Sequence, residues 1–245
     1  MPRAKIAGMA SLEIVDIAAN LTRLRERVLR AAERAGRHAD EIALVAVSKT
    51  FPIERIRAAY EAGLRHFGEN RVQEMQAKLP ELADLGTSWH FIGHLQSNKA
   101  RLAAQLFDRI DSVDSVPLAQ KLDSAAGELG KRLPVLVEVH VGGEATKNGV
   151  SESELPSVAE SIATLPHLDL HGLMTVPPYS DDPERARPHF RKLRELRDRL
   201  GEGLGRRLPT LSMGMSHDLE IAIEEGATEI RPGTALFGAR SKKAG

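Results

Sequence analysis

Apolar residues recur along this chain in two rhythms, and the switch between them marks out its elements. Over residues 12–37, Leu21, Leu24, Val28, Leu29 and Ala32 return at three- and four-residue spacing with Arg and Glu between them, the pattern of an amphipathic helix stopped near Gly36. The rhythm then tightens. Leu44-Val45-Ala46-Val47 is a compact apolar run that ends in Ser48-Lys49, with Pro52 closing the turn behind it. Beyond it, strand-like runs at 65–68, 88–93, 109–113, 134–141, 168–176, 210–215 and 228–231 alternate with helical stretches at 53–62, 72–82, 99–106, 117–130, 152–165, 183–200, 217–225 and 234–240.

Eight strands, each followed by a helix, imply a parallel sheet with right-handed crossovers. Eight such units close into a single (β/α)8 TIM barrel, here with an extra N-terminal helix. The open doubly wound sheet is the alternative. It needs fewer strands and usually a Gly-rich dinucleotide turn, and no G-x-G-x-x-G is present. No stretch reads as an interdomain linker. Residues 201–209 come nearest and read as a loop, so residues 1–245 are expected to form one domain, with 1–10 and 241–245 flexible.

Composition narrows the function classes. With no cysteine, disulfides, thiolate metal sites and Cys nucleophiles are excluded. Lys+Arg and Asp+Glu both number 34, a balance that gives no reason to expect nucleic acid or an anionic membrane as partner. No apolar run approaches the ~20 residues of a membrane span, and residues 1–10 lack the apolar core of a secretory signal, so a cytoplasmic protein is expected. One Trp and two Tyr disfavour an aromatic platform for single strands.

In a barrel of this kind chemistry sits at the C-terminal ends of the strands. That rule selects Lys49 on strand one, Glu69 and Asn70 on strand two, His90 and the 94–98 loop on strand three, and His140 with the Lys147 loop on strand five. It also selects Met174 and Thr175 on strand six, Ser212 and Ser216 on strand seven, and Arg231, Gly233 and Thr234 on strand eight. A partly desolvated Lys49 can serve as an amine nucleophile toward an aldehyde; the plainer reading is a strand cap that reaches to water. Ser212-Met213-Gly214-Met215-Ser216 and Gly233-Thr234 lie on the two strands whose loops commonly grip phosphate, although Ser and Gly are also ordinary turn residues. A lysine facing a phosphate grip suggests pyridoxal 5′-phosphate (PLP), or a Schiff-base aldolase acting on a sugar phosphate. Arg231 could face the ring nitrogen of such a cofactor. A guanidinium keeps its proton and leaves that nitrogen unprotonated, which weakens the ring as an electron sink. Pairing with a carboxylate is the commoner fate of a strand-end arginine. The two histidines within 89–99 lack metal-ligand spacing with partners elsewhere, so no metal is expected. His140 reads as a satisfied barrel residue, Met213 and Met215 as packing, and the charge run 185–199 as a solvated helix face.

Taken together, the segments Val45-Ala46-Val47-Ser48-Lys49, His66-Phe67-Gly68-Glu69-Asn70, 89–99 (Trp-His-Phe-Ile-Gly-His-Leu-Gln-Ser-Asn-Lys), His171-Gly172-Leu173-Met174, 211–216 and 230–238 resemble the pyridoxal phosphate homeostasis protein family. That family is similar to the barrel domain of alanine racemase, the fold-type III group. The resemblance implies a covalent aldimine between PLP and Lys49, contacts from Ser212, Gly233 and Thr234 to the phosphate, Arg231 at the ring nitrogen, and Asn70 close to the cofactor. Lys147, in Thr146-Lys147-Asn148-Gly149, matches a loop lysine near the cofactor's exit path, and Met174 stands as a further accessory position. Pro232 fills a place that is often aliphatic in relatives and removes one amide donor.

Two functions fit this set. An amino-acid racemase needs a second acid/base opposite the lysine. In alanine racemase that group is a tyrosine from a C-terminal β-domain of the partner subunit, whereas here Tyr60 falls in a helix and Tyr179 follows Pro177-Pro178. A non-enzymatic PLP-binding protein for homeostasis and delivery needs only reversible attachment and a phosphate grip. This second reading is the expected one. Its partners would be PLP and apo PLP-dependent recipient enzymes, its state monomeric, and its effects on amino-acid and keto-acid pools indirect.

Overall fold

The computed structural model describes residues 15–142 and 148–239. Lys147 lies outside the described residues, as do the termini expected to be flexible. Eight parallel strands close on themselves in sequence order. They are β1 Ala43–Val47, β2 His66–Glu69, β3 Ser88–Phe91, β4 Arg109–Val113, β5 Leu133–Glu138, β6 Leu168–Met174, β7 Thr210–Ser212 and β8 Glu229–Ile230. Closure runs through β1 and β8, where Leu44 stands opposite Ile230, while Val45 stands opposite His66 on the other side. The open-sheet alternative is thereby set aside. Between the strands run α2 Ile53–Glu61, α3 Val72–Lys78, α4 Ala100–Leu106, α5 Val116–Glu128, α6 Leu155–Ala163, α7 Arg187–Gly203, α8 Leu219–Glu224 and α9 Thr234–Phe237.

The extra helix, α1, spans Ile17–Arg34, shorter than the periodicity suggests because Asp16 caps it by accepting the Ala19 N–H at 2.9 Å. Leu21, Leu24, Val28, Ala31 and Ala32 are buried, whereas Leu29 is 47% exposed. Leu29 lies about 100° from Val28 around the helix, off the packed stripe, which corrects its place in the apolar set. Arg27 Nε donates to Glu220 Oε1 at 2.6 Å and Asn20 Nδ2 to the Leu236 carbonyl at 2.8 Å, tying α1 across α8 and α9.

Strand alternation divides the barrel wall into two faces. Trp89-His90-Phe91, Arg109-Ile110-Asp111 and Glu229-Ile230-Arg231 each interleave apolar with polar residues. Arg109 on β4 reaches Glu229 on β8, the strand diametrically opposite, at 2.5 Å, so the polar set faces the lumen. The apolar set, including Phe67, Phe91, Phe107, Leu118, Phe190 and Phe237, is buried between wall and helices. Each such side chain contributes roughly 1.5–3 kcal/mol through burial.

Five strands end earlier than their composition suggests, β3 at Phe91 and β6 at Met174 among them. β5 stops at Glu138, beyond which a single bridge pairs Val139 with Val150. β7 stops at Ser212 because the chain turns at Gly214, whose φ is +91° and where an added Cβ would stand 2.5 Å from Ala222 Cβ, so the position favours glycine. β8 stops before Pro232, which has no N–H but whose carbonyl still accepts from Val47 N at 2.9 Å. The charge run on α7 is also corrected. Arg187 and Arg191 donate to the carboxylate of Glu225, which is 4% exposed, and Arg194 donates to its carbonyl, so this face docks α7 onto the end of α8.

Candidate functional site

Lys49 stands two residues beyond the end of β1, in a turn closed by the Phe51 N–H donating to the Ser48 carbonyl at 3.1 Å. Thr50 carries φ +68°, the only non-glycine residue with positive φ among the described residues. Such a conformation costs on the order of 1–3 kcal/mol and persists where its surroundings enforce it. Lys49 lines a cavity of about 370 Å³ at the C-terminal mouth together with Asn70, His94, Glu138, His140 and Asn148. That volume suits a small ligand. A larger cavity, of about 450 Å³ between α6 and α7, lies outside the barrel and includes none of the predicted site residues. Asn70 is held at the mouth by the close passage of Gly93, where a Cβ would stand 2.6 Å from the Asn70 carbonyl oxygen.

Glu138, which the sequence reading passed over, enters this mouth from the end of β5. In Val137-Glu138-Val139-His140 it shares a face with His140, and that alternation was the available signal. Burial pushes its carboxyl up to about 7 against the pull of Arg231. Because the folded state binds this proton more tightly than the unfolded chain, the stability it confers is full below about pH 4.5 and is lost as pH rises through about 7. Glu138→Gln is therefore expected to remove up to about 3 kcal/mol of the stability lost between pH 4.5 and 8. Urea melts of both proteins across that range check it; parallel pH profiles would contradict the assignment. His140 corrects another expectation. Its Nε2 is buried with no hydrogen-bond partner among the described residues.

On the opposite side, the Gly233 and Ala235 N–H groups both donate to Ser216 Oγ, at 3.1 and 3.0 Å. Ser216 thus gathers amides from the loop after β8 and leaves its own hydroxyl hydrogen to donate elsewhere. Thr234 is exposed beside them. Gly233 has an ordinary φ of −118°, and a Cβ there would meet only Val47 at 3.5 Å, so packing within the protein does not require the glycine. Ser212 is placed differently. Fully buried, its hydroxyl donates to Glu229 Oε1 and accepts from Arg231 Nη1, both at 2.7 Å. Met174, at the end of β6, is fully buried as well and does not line the Lys49 cavity.

Arg231 is 3% exposed and sends its other terminal nitrogen to the Thr175 carbonyl at 2.7 Å. Burial pulls its guanidinium downward, with Glu229, Asp111 and Glu138 opposing. It is the upper end of a chain of contacts through the lumen. Arg109 Nη2 donates to Glu229 Oε2 and Arg109 Nε to Asp111 Oδ1, both at 2.5 Å, while His90 Nδ1 lies 3.4 Å from Asp111. Burial opposes ionisation of Asp111, but Arg109 and His90 overcome it and hold the carboxyl well below the usual carboxylate range. His90, Asp111 and Glu229 place ligand-type atoms within 4.8 Å of one another, a grouping that sequence spacing did not suggest. Arg109 already supplies the cation between its two carboxylates.

Tyr60 lies on α2 beneath Arg65, at 4.0 Å from ring centre to guanidinium. Tyr179 is 79% exposed, donates to Asp181 Oδ1 at 3.1 Å and does not line the Lys49 cavity. No carboxylate adjoins Lys49 in sequence, but Glu69 and Glu74 gather just below its turn around the buried Lys78, a grouping the linear spacing did not reveal.

Comparison with known proteins places this geometry. The family described as alanine racemase, N-terminal domain, matches residues 19–241. A relative from Aquifex aeolicus named pyridoxal phosphate homeostasis protein is 50% identical over 220 residues, covering 90% of this chain and 96% of its own length. The structure of PipY from Synechococcus elongatus, solved with PLP bound, superposes with a TM-score of 0.81 at 41% identity, covering 91% of this chain and 100% of that one. An alanine racemase from Clostridium difficile shares the fold at a TM-score of 0.75 and 15% identity, with 94% of this chain matched to 58% of that one.

Proposed function

The chain belongs to the alanine racemase N-terminal domain family, alongside relatives named pyridoxal phosphate homeostasis proteins, and on that premise we propose that it binds PLP reversibly through Lys49 and serves its storage and delivery. When bound, PLP supplies an aldehyde that condenses with a lysine amine and releases one water. The donor set suits it. Ser216, whose oxygen accepts the amides of residues 233 and 235 and whose hydroxyl hydrogen is left over, and exposed Thr234 offer neutral donors to a phosphate dianion. The spare space at Gly233 supports an anion approaching the backbone there. Ser212 acts here by orienting Arg231.

The observation that carries the reading is Arg231, a buried guanidinium clamped between Ser212 and Thr175. Held there, it would offer the ring nitrogen of a bound PLP a positive neighbour that has no proton acceptor and keeps its own proton. That arrangement suits holding a cofactor more than stabilising a carbanion. Tyr179, the candidate second base, is hydrogen-bonded away from the cavity. Among the described residues no helix is long and apolar enough to cross a membrane. We take residues 1–245 to act as one unit, a monomer whose recipients are apo PLP-dependent enzymes.

The test mixes loaded protein with an apo PLP-dependent enzyme while a scavenger removes free PLP. Recovery of enzyme activity is expected, and single-enantiomer amino acids incubated with the loaded protein should keep their chirality. Racemisation at about 1 s⁻¹ or faster, the lower range of ordinary enzymes, would overturn the reading.

A further inference from the structure

Beneath Lys49 stands a second lysine. Lys78, on the last turn of α3, is 8% exposed. Its ammonium donates to the Ser48 carbonyl at 3.1 Å, to Glu69 Oε1 at 2.8 Å and to Glu74 Oε1 at 2.7 Å. The same Glu74 oxygen accepts the Thr50 N–H at 2.6 Å, and Ser48 Oγ donates to Glu69 Oε1 at 2.7 Å. Both chain neighbours of Lys49 are thus tied to one ion cluster, one of them in the positive-φ conformation already noted. None of Lys78, Glu69 and Glu74 lines the cavity that Lys49 lines. A buried ion cluster is a weak source of stability compared with apolar side chains of similar size, and its directional bonds are better suited to fixing a geometry.

We propose that Lys78, with Glu69 and Glu74, is the positioning element of Lys49. The cluster sets the direction in which the Lys49 side chain leaves β1, so that its amine meets the aldehyde of a ligand held at the phosphate end. The inference rests on Lys49 being the residue that binds PLP covalently. It adds residues that touch neither ligand nor cavity. A reactive group displaced by about 1 Å can lose on the order of a hundredfold in rate, so the effect belongs on the attachment step and not on the grip of ring and phosphate.

Two probes separate those steps. PLP reports attachment. Pyridoxine 5′-phosphate has the same ring and phosphate but a hydroxymethyl group in place of the aldehyde, so it reports the grip alone. In Lys78→Met and in Glu74→Ala, the rate of covalent attachment of PLP is expected to fall on the order of a hundredfold, while affinity for pyridoxine 5′-phosphate stays near wild type. Glu74→Gln keeps an oxygen to accept the Thr50 N–H and should recover much of the loss seen in Glu74→Ala. Should Lys78→Met fail to fold, Glu74→Ala and Glu74→Gln decide the matter, since the Glu74 side chain is 22% exposed. Unchanged attachment in the folded variants, or equal weakening toward both probes, overturns the proposal. Failure of the underlying reading looks different: wild type itself would bind both probes alike, with no covalent attachment, or Lys49→Ala would still attach PLP.

Discussion

Lys49→Ala is expected to abolish covalent retention of PLP and the visible absorbance that accompanies it. Lys49 lies just past β1 and lines the cavity, and Lys78, which binds the carbonyl of the preceding residue, is engaged by Ser48, Glu69 and Glu74. Among the described residues no other lysine lines the cavity. The unliganded variant should remain folded, because Lys49 is half-buried at the rim and its side chain is not part of the apolar core. What disappears is the ligand-induced gain. At a free ligand concentration a hundred times Kd, wild type gains about 2.7 kcal/mol, or roughly 5–10 °C in Tm for a chain of this size. The variant should gain much less at the same concentration. Gel filtration of PLP-treated protein followed by absorbance, together with thermal melts, checks both parts. A visible band surviving desalting would remove Lys49 from its role.

The second large effect is placed in the lumen. Arg109→Ala leaves Asp111 and Glu229, 0% and 3% exposed, as buried carboxylates without their shared cation. Breaking a buried pair in this way costs about 3–5 kcal/mol. The damage should extend upward, since Glu229 also accepts from Ser212, and Ser212 accepts from Arg231. PLP affinity should therefore fall in whatever fraction stays folded. Acidification should narrow the gap between variant and wild type, because Arg109 holds the Asp111 carboxyl low and the stability this gives the wild type is lost as pH falls below the ordinary carboxylate range. Urea unfolding at neutral and at low pH measures this. A loss below about 1 kcal/mol at neutral pH would mean that the lumen network is dispensable.

The barrel was legible because its signal is local. Each strand is a short apolar run, each helix a three-four repeat, and their strict alternation leaves few topologies. Strand ends were less legible. Where β7 stops depends on how closely Gly214 packs on Ala222, and where β8 stops depends on Pro232, both settled by neighbours brought in from elsewhere. In the mouth, the rule of strand ends picked out Lys49 and Asn70, which line the cavity, while Arg231, Gly233 and Thr234, chosen on the same grounds, are not among its lining residues. Glu138 was hidden inside an apolar run that reads as core. Lys78 was hidden on a helix, thirty positions from the Ser48 carbonyl it binds. The separate tasks of Ser212 and Ser216 could not be told from sequence. They are four residues apart, and only the turn at Gly214 sends one inward to Arg231 and the other to the amides of the last loop.

The central claim is that one amine, at the end of the first strand, holds the cofactor. Borohydride reduction of PLP-loaded protein, followed by digestion and mass spectrometry, tests it directly by fixing the pyridoxyl group where it is attached. The account predicts a single modified site at Lys49. Modification concentrated on another lysine, or spread over surface lysines with Lys49 unmodified, would contradict it.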